Sequence, residues 1–143
     1  MAVTRFQDLI AWQKARVLAR DVYLTTRTGG FARDFGLSSQ IQRSAVSVMA
    51  NIAEGFNRNR PAEFQRFLEF SLGSAAEVSS HLYVALDIGY IDQGKFDDRF
   101  GQANDVARIL NRLRAAAGAR SDARQAPPER PRGTRDEGQG TSL

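Results

Sequence analysis

Apolar residues recur along this chain at steps of three and four, the spacing that lines one side of an α-helix. From Asp8 to about Thr26 the positions Ala11, Trp12, Ala15, Leu18, Ala19 and Val22 follow that rule and predict a first helix with one buried face. Ile10, Val17 and Leu24, seven apart, make a second apolar seam on another side of it, for which a lone protomer has no use. Arg27 to Gly36, broken by Gly29 and Gly30, reads as non-helical. A second helix is expected from Leu37 or Ser38, capped by Ser38 or Ser39, with Ile41, Ala45, Val48, Met49, Ile52 and Phe56 inward and its end near Asn57. Pro61 suits the first turn of a third and longest helix. That helix turns Phe64, Phe67, Leu68, Leu72, Ala75, Val78, Leu82 and Leu86 inward and leaves Phe70 on its other side. Beyond the turn holding Gly89, Tyr90, Ile91 and Gly94, a fourth helix carries Phe96, Phe100, Ala103, Val106, Ala107, Leu110 and Leu113. No stretch alternates as a half-buried strand does. The fold class expected is all-α, an up-down-up-down antiparallel four-helix bundle.

Composition divides the chain at one place. Large apolar residues vanish after Ala117 until Leu143, while three of the four prolines fall there, so residues 1–117 are expected to form the domain and residues 118–143 a disordered tail. That tail holds five Arg against four acidic residues, and the remainder is basic as well, within a net charge of +4. Eighteen of the twenty basic residues are Arg, a bias that a GC-rich genome explains more simply than phosphate recognition does. The absence of Cys excludes disulfides, thiol nucleophiles and Cys-ligated metals. No apolar run reaches the roughly 20 residues that cross a bilayer, and Met1 to Phe6 offers no signal-peptide core. A soluble, cytoplasmic chain without a membrane partner is the expectation.

Little in the sequence suggests catalysis. The stretch from Gly89 to Phe96 has the outline of a phosphate loop, but Phe96 follows Lys95 where a hydroxyl is required and a helix precedes it, so it reads as an interhelical turn. His81 is the single histidine, with Glu77 one turn before it and no local nucleophile, and no cofactor or metal site is expected. Asp97 and Asp98 fit an offset of the fourth helix's dipole. A more informative pattern is the stripe Gln40, Arg43, Ser47, Asn51, Glu54 and Arg58 on the second helix, flanked by Ser44 and free of Lys. It reads either as a solvated face or as a fixed hydrogen-bond network at a subunit interface or ligand groove. Arg16, Arg20 and Arg27 share a side of the first helix, Arg108 and Arg112 a side of the fourth, and Arg58, Arg60 and Arg66 surround the turn between the second and third. Such groups suit phosphate neutralisation and equally suit a solvated basic surface.

The stretches Leu9 with Trp12, Gln13 and Lys14, then Gly36 to Val48, then Asn51-Ile52-Ala53-Glu54-Gly55-Phe56 with Arg58, resemble the bacterial family of 23S rRNA intervening-sequence proteins. Phe64, Phe67, Leu68, Leu72-Gly73-Ser74, Glu77 and the Gly89-Tyr90-Ile91 turn are similar too, and the likeness spans residues 5 to about 117. Asp34 and Phe35 depart mildly from the family pattern. The resemblance implies a four-helix bundle related to the accessory variability proteins of diversity-generating retroelements. Those are pentameric barrels with basic surfaces, thought to bind nucleic acid and a reverse transcriptase. It carries over no catalytic residue. The function expected is therefore a non-enzymatic homo-oligomer, a pentamer by this likeness, that binds RNA or DNA through Arg16, Arg20, Arg27, Arg58, Arg60 and Arg66. The alternative is a protein-interaction scaffold such as an accessory subunit of a reverse transcriptase.

Overall fold

The computed structural model describes residues 2–125. A single 3-10 turn, Phe6–Asp8, leads into α1 (Ile10–Thr26), followed by the short α2 (Gly29–Arg33) and the long helices α3 (Phe35–Asn57), α4 (Pro61–Ile88) and α5 (Gln93–Gln125). The described residues hold no strand. Hydrogen bonds between helices show their directions. On the α3–α4 seam Val48 meets Ser71, Ser47 meets Ser74 and Ser44 meets Glu77, so numbers fall on one helix as they rise on the other. Asp21 with Gln102 and Thr25 with Arg99 give the same antiparallel order for α1 and α5. α1 packs against α3 and α5, and α4 packs against the same two, so α1 and α4 stand diagonally across the bundle.

The core runs the length of the bundle in two adjoining clusters. Leu18, Val22, Phe31, Ile41, Val78, Leu82 and Phe96 fill one end. Leu9, Ala11, Val48, Ile52, Phe64, Leu68, Val106 and Leu110 fill the other, and Met49 packs against both. The seam Ile10, Val17 and Leu24 faces outward, Ile10 being 61% exposed, and Phe70 is 46% exposed.

Three boundaries differ from expectation. The segment expected to be irregular between the first two helices contains α2, which forms because Phe31 plugs the core and stacks on Tyr90 at 5.4 Å. α3 starts at Phe35, earlier than Leu37, because its cap is Asp34, whose side chain accepts from the Leu37 amide at 3.0 Å. Tyr90 donates its hydroxyl to the other oxygen of that carboxylate at 2.9 Å, tying the α2–α3 corner to the α4–α5 turn. Gly89, at φ +89, ends α4 in a left-handed conformation that glycine adopts without strain.

The third correction concerns the tail. α5 continues past Ala117 to Gln125, so a domain boundary at 117 falls too early. Ala117 is fully buried, Ser121 nearly so, and a Cβ on Gly118 would come within 2.7 Å of Gln65 Nε2. Small residues, which add nothing to a count of large apolar ones, let these last turns lie close against α4. Residues 126–143, the rest of the expected tail, lie outside the described residues.

Candidate nucleic-acid interface

The polar stripe of α3 divides lengthwise. Its inner part meets α4: Ser44 Oγ donates to Glu77 Oε2 at 2.9 Å and Ser74 Oγ to Ser47 Oγ at 2.9 Å, while within α3 Asn51 Nδ2 donates to the same Ser47 Oγ at 2.9 Å. Ser71, fully buried, donates to the Val48 carbonyl at 2.7 Å. Gly55 explains the close approach, since a Cβ there would stand 2.5 Å from the Phe67 Cβ. The outer part is solvated. Glu54 and Arg58 pair at 3.0 Å with both side chains about half exposed, and Gln40 and Arg43 are exposed. Among the described residues, neither Arg43 nor Arg58 has a buried charge partner within the protomer.

A groove of about 300 Å³ opens along this seam, lined by Gln40, Arg43, Ser44, Ser47, Ser74, Glu77 and His81. The sequence placed nothing near His81 except Glu77, whose carboxylate is taken by Ser44 instead. The serines opposite His81 come from α3, more than thirty positions away, and only the antiparallel register brings them there. Those hydroxyls are committed to helix-to-helix hydrogen bonds.

The arginines are displayed on the surface, and several rest on aromatic rings. On α1 the Arg16 guanidinium lies 5.7 Å from the Trp12 ring centre, Arg20 pairs with Asp21 at 3.0 Å, and Arg27 is exposed at the helix end. Trp12, Gln13, Arg16, Val17 and Arg20 line a shallow depression of about 480 Å³. The expected trio at the α3–α4 turn separates. Arg58 lies 5.3 Å from the Phe67 ring and Arg66 5.4 Å from Phe70, and these two rings meet edge to face at 5.6 Å. Two guanidiniums thus share one aromatic base. Arg60 instead lines a cavity of about 230 Å³ with Arg120 and Arg124, over Phe56 and Phe64. Arg120 and Arg124 escaped the sequence reading because they stood in the segment read as tail.

Another polar cluster joins α1 to α5. Asp21 accepts from Gln102 at 2.7 Å and lies 3.8 Å from Arg99, which also donates to Thr25 Oγ1 at 3.0 Å. Burial raises the Asp21 carboxyl, but hydrogen bonds from Arg20 and Gln102 and the charges of Arg99 and Arg20 outweigh it and hold the group below its ordinary 3.8. Among the described residues no group of His, Cys, Asp and Glu is arranged to hold a metal ion, and no helix is long and apolar enough to cross a membrane.

Fold and surface define a small all-helical bundle that displays arginine on aromatic supports. The family model for 23S rRNA-intervening sequence proteins matches residues 7–112, and the chain belongs to that family. A solved structure of a protein of unknown function from the S23 ribosomal protein family of Bacteroides thetaiotaomicron VPI-5482 shares the fold, with a TM-score of 0.67. It is 22% identical, and the alignment covers 73% of this chain and 97% of that one. No curated protein matches the chain. The last turns of α5, from Leu113 on, lie beyond the family match.

Proposed function

We propose that the chain is a non-enzymatic, homo-oligomeric helical module that binds RNA or DNA through its arginine surfaces. The observation that carries this reading is the seating of Arg16, Arg58 and Arg66 on Trp12, Phe67 and Phe70. A guanidinium held over a ring is already partly ordered and loses less freedom on meeting a phosphate. Arg20 and Arg27 extend the patch on α1, and Arg60 extends the one at the turn.

Self-association is supported by where the exposed apolar residues fall. Ile10, Val17 and Leu24 lie on α1, while Phe70, Val84 and Ile88 lie on α4, its diagonal opposite. Two different apolar faces on opposite sides favour a head-to-tail contact between copies, and repetition of such a contact closes into a ring when the rotation permits. A pentamer is the ring we infer from the family likeness. The groove holding Gln40, Arg43 and Ser47 would then lie at or beside that contact.

Binding is tested by titrating a 5′-hydroxyl oligonucleotide at several salt concentrations. Log affinity should fall about linearly with log salt, and Arg16→Ala, Arg20→Ala and Arg27→Ala together should flatten the slope by about 0.7 to 0.9 per lost phosphate contact. Light scattering should give the triple variant the same multiple of 15.8 kDa as the parent. Absence of binding even at about 50 mM salt, where such electrostatic attraction is strong, would leave the second reading: a protein scaffold, such as a reverse transcriptase accessory subunit, that docks through the exposed apolar faces.

A further inference from the structure

The cavity at the α3–α4 turn differs from the arginine-lined depression on α1 in joining two distant parts of the chain. Arg60 comes from the start of α4, whereas Arg120 and Arg124 come from the turns of α5 beyond the family match. Its floor is the edge-to-face pair Phe56 and Phe64, 6.0 Å between ring centres. None of the residues lining it is acidic, and among the described residues none of the three arginines is in an ion pair.

Three guanidiniums around one concavity repel one another, and an anion between them removes that cost. The charge and shape of the site select among anions. An internal phosphate of a strand carries one negative charge and continues on both sides, whereas a phosphate monoester carries nearly two near neutral pH and can turn its terminal oxygens to all three arginines. Forked guanidinium donors match its oxygens, and the phenylalanine floor offers an apolar surface to a flat base. We propose that this cavity binds a nucleoside 5′-monophosphate group, free or as the phosphorylated 5′ end of a strand. The strand form rests on the nucleic-acid reading above; the free nucleotide does not.

Two measurements on the full chain test it. Adenosine 5′-monophosphate and adenosine, each titrated and followed by ligand-observed NMR, address the cavity independently of any strand. The nucleotide should bind at least about tenfold tighter than the nucleoside, the scale of one or two charge-assisted hydrogen bonds. Oligonucleotides of one sequence with a 5′-phosphate or a 5′-hydroxyl should show a similar preference. The double variant Arg120→Ala, Arg124→Ala should abolish both preferences while leaving 5′-hydroxyl strand affinity, helical signal and oligomer mass unchanged. Equal binding of nucleotide and nucleoside, or a preference that survives in the double variant, overturns the site. Loss of 5′-hydroxyl strand binding in the parent protein overturns the nucleic-acid reading and with it the strand form, while the nucleotide titration still decides the cavity.

Discussion

Between α3 and α4 the polar contacts are short and made by serine hydroxyls, one of them to the carboxylate of Glu77, with Gly55 letting the backbones approach. Between α1 and α5 they are ionic and made by long side chains, with Asp21 and Arg99 each 15% exposed at the side chain. Small hydroxyls hold helices close, and at this seam only the exposed Glu77 carboxylate gives protons or salt something to act on. The charged side chains between α1 and α5 leave that seam dependent on the ionisation of one carboxylate. One half of the bundle is set by steric fit and the other by charge.

Substitutions at the two seams should separate these modes. Gly55→Val has the largest expected effect, about 3 kcal/mol of destabilisation by overpacking, read from the urea midpoint; a neutral outcome would mean the α3–α4 approach is not close. Asp21→Ala should cost about 1–2 kcal/mol, because Arg99 loses its carboxylate neighbour and Gln102 its acceptor. The sign with pH follows from the depressed carboxyl. Its folded value lies below the ordinary 3.8, so its contribution is complete above about pH 5 and is lost as pH falls through the folded value. Melting temperatures of parent and Asp21→Asn should therefore converge on acidification, and a constant gap would remove charge from the account of this seam. Ser71→Ala should cost about 1 kcal/mol, equally at high and low salt. Arg58→Ala should change protomer stability by less than about 0.5 kcal/mol, as expected of an exposed pair; a larger loss would show that its contacts with Glu54 and Phe67 are structural.

The helical stripes made most of this fold readable from sequence, since periodic residues such as Leu18, Ile41, Leu68 and Leu110 are fully or almost fully buried where they were expected. The α5 end was not readable in this way. Ala117, Gly118 and Ser121 pack through smallness, and a pattern of large apolar residues is blind to that. α2 was hidden for a different reason: Gly29 and Gly30 are local breakers, and Phe31 overrides them through a core contact that no local rule contains. The arginines could be placed on helix sides but not grouped, because grouping depends on antiparallel register. That register sends Arg60 to Arg120 and Arg124 and leaves Arg58 and Arg66 on the Phe67–Phe70 pair. Gly55 stood within the stretch that carried the family resemblance, and its reason, the approach of Phe67, became visible only with both helices in place.

The hydrogen bonds of the two seams also differ in how much chain they enclose. Those joining α3 to α4 link residues 23, 27 and 33 positions apart, and those joining α1 to α5 link residues 74 and 81 apart. By loop-closure entropy alone, bringing the second set together from an open chain costs about 1 kcal/mol more. The excess shrinks once the α3–α4 and α4–α5 hairpins exist, because the folded pieces already carry α5 back beside α1. The α1–α5 seam is therefore cheapest to close last, after the much shorter closure from Gln42 to Thr26, 16 positions, has seated α3 against α1. The ridge Ile10, Val17 and Leu24 rides on that helix, so a neighbouring copy seated on the ridge would press shut the seam that costs most to close.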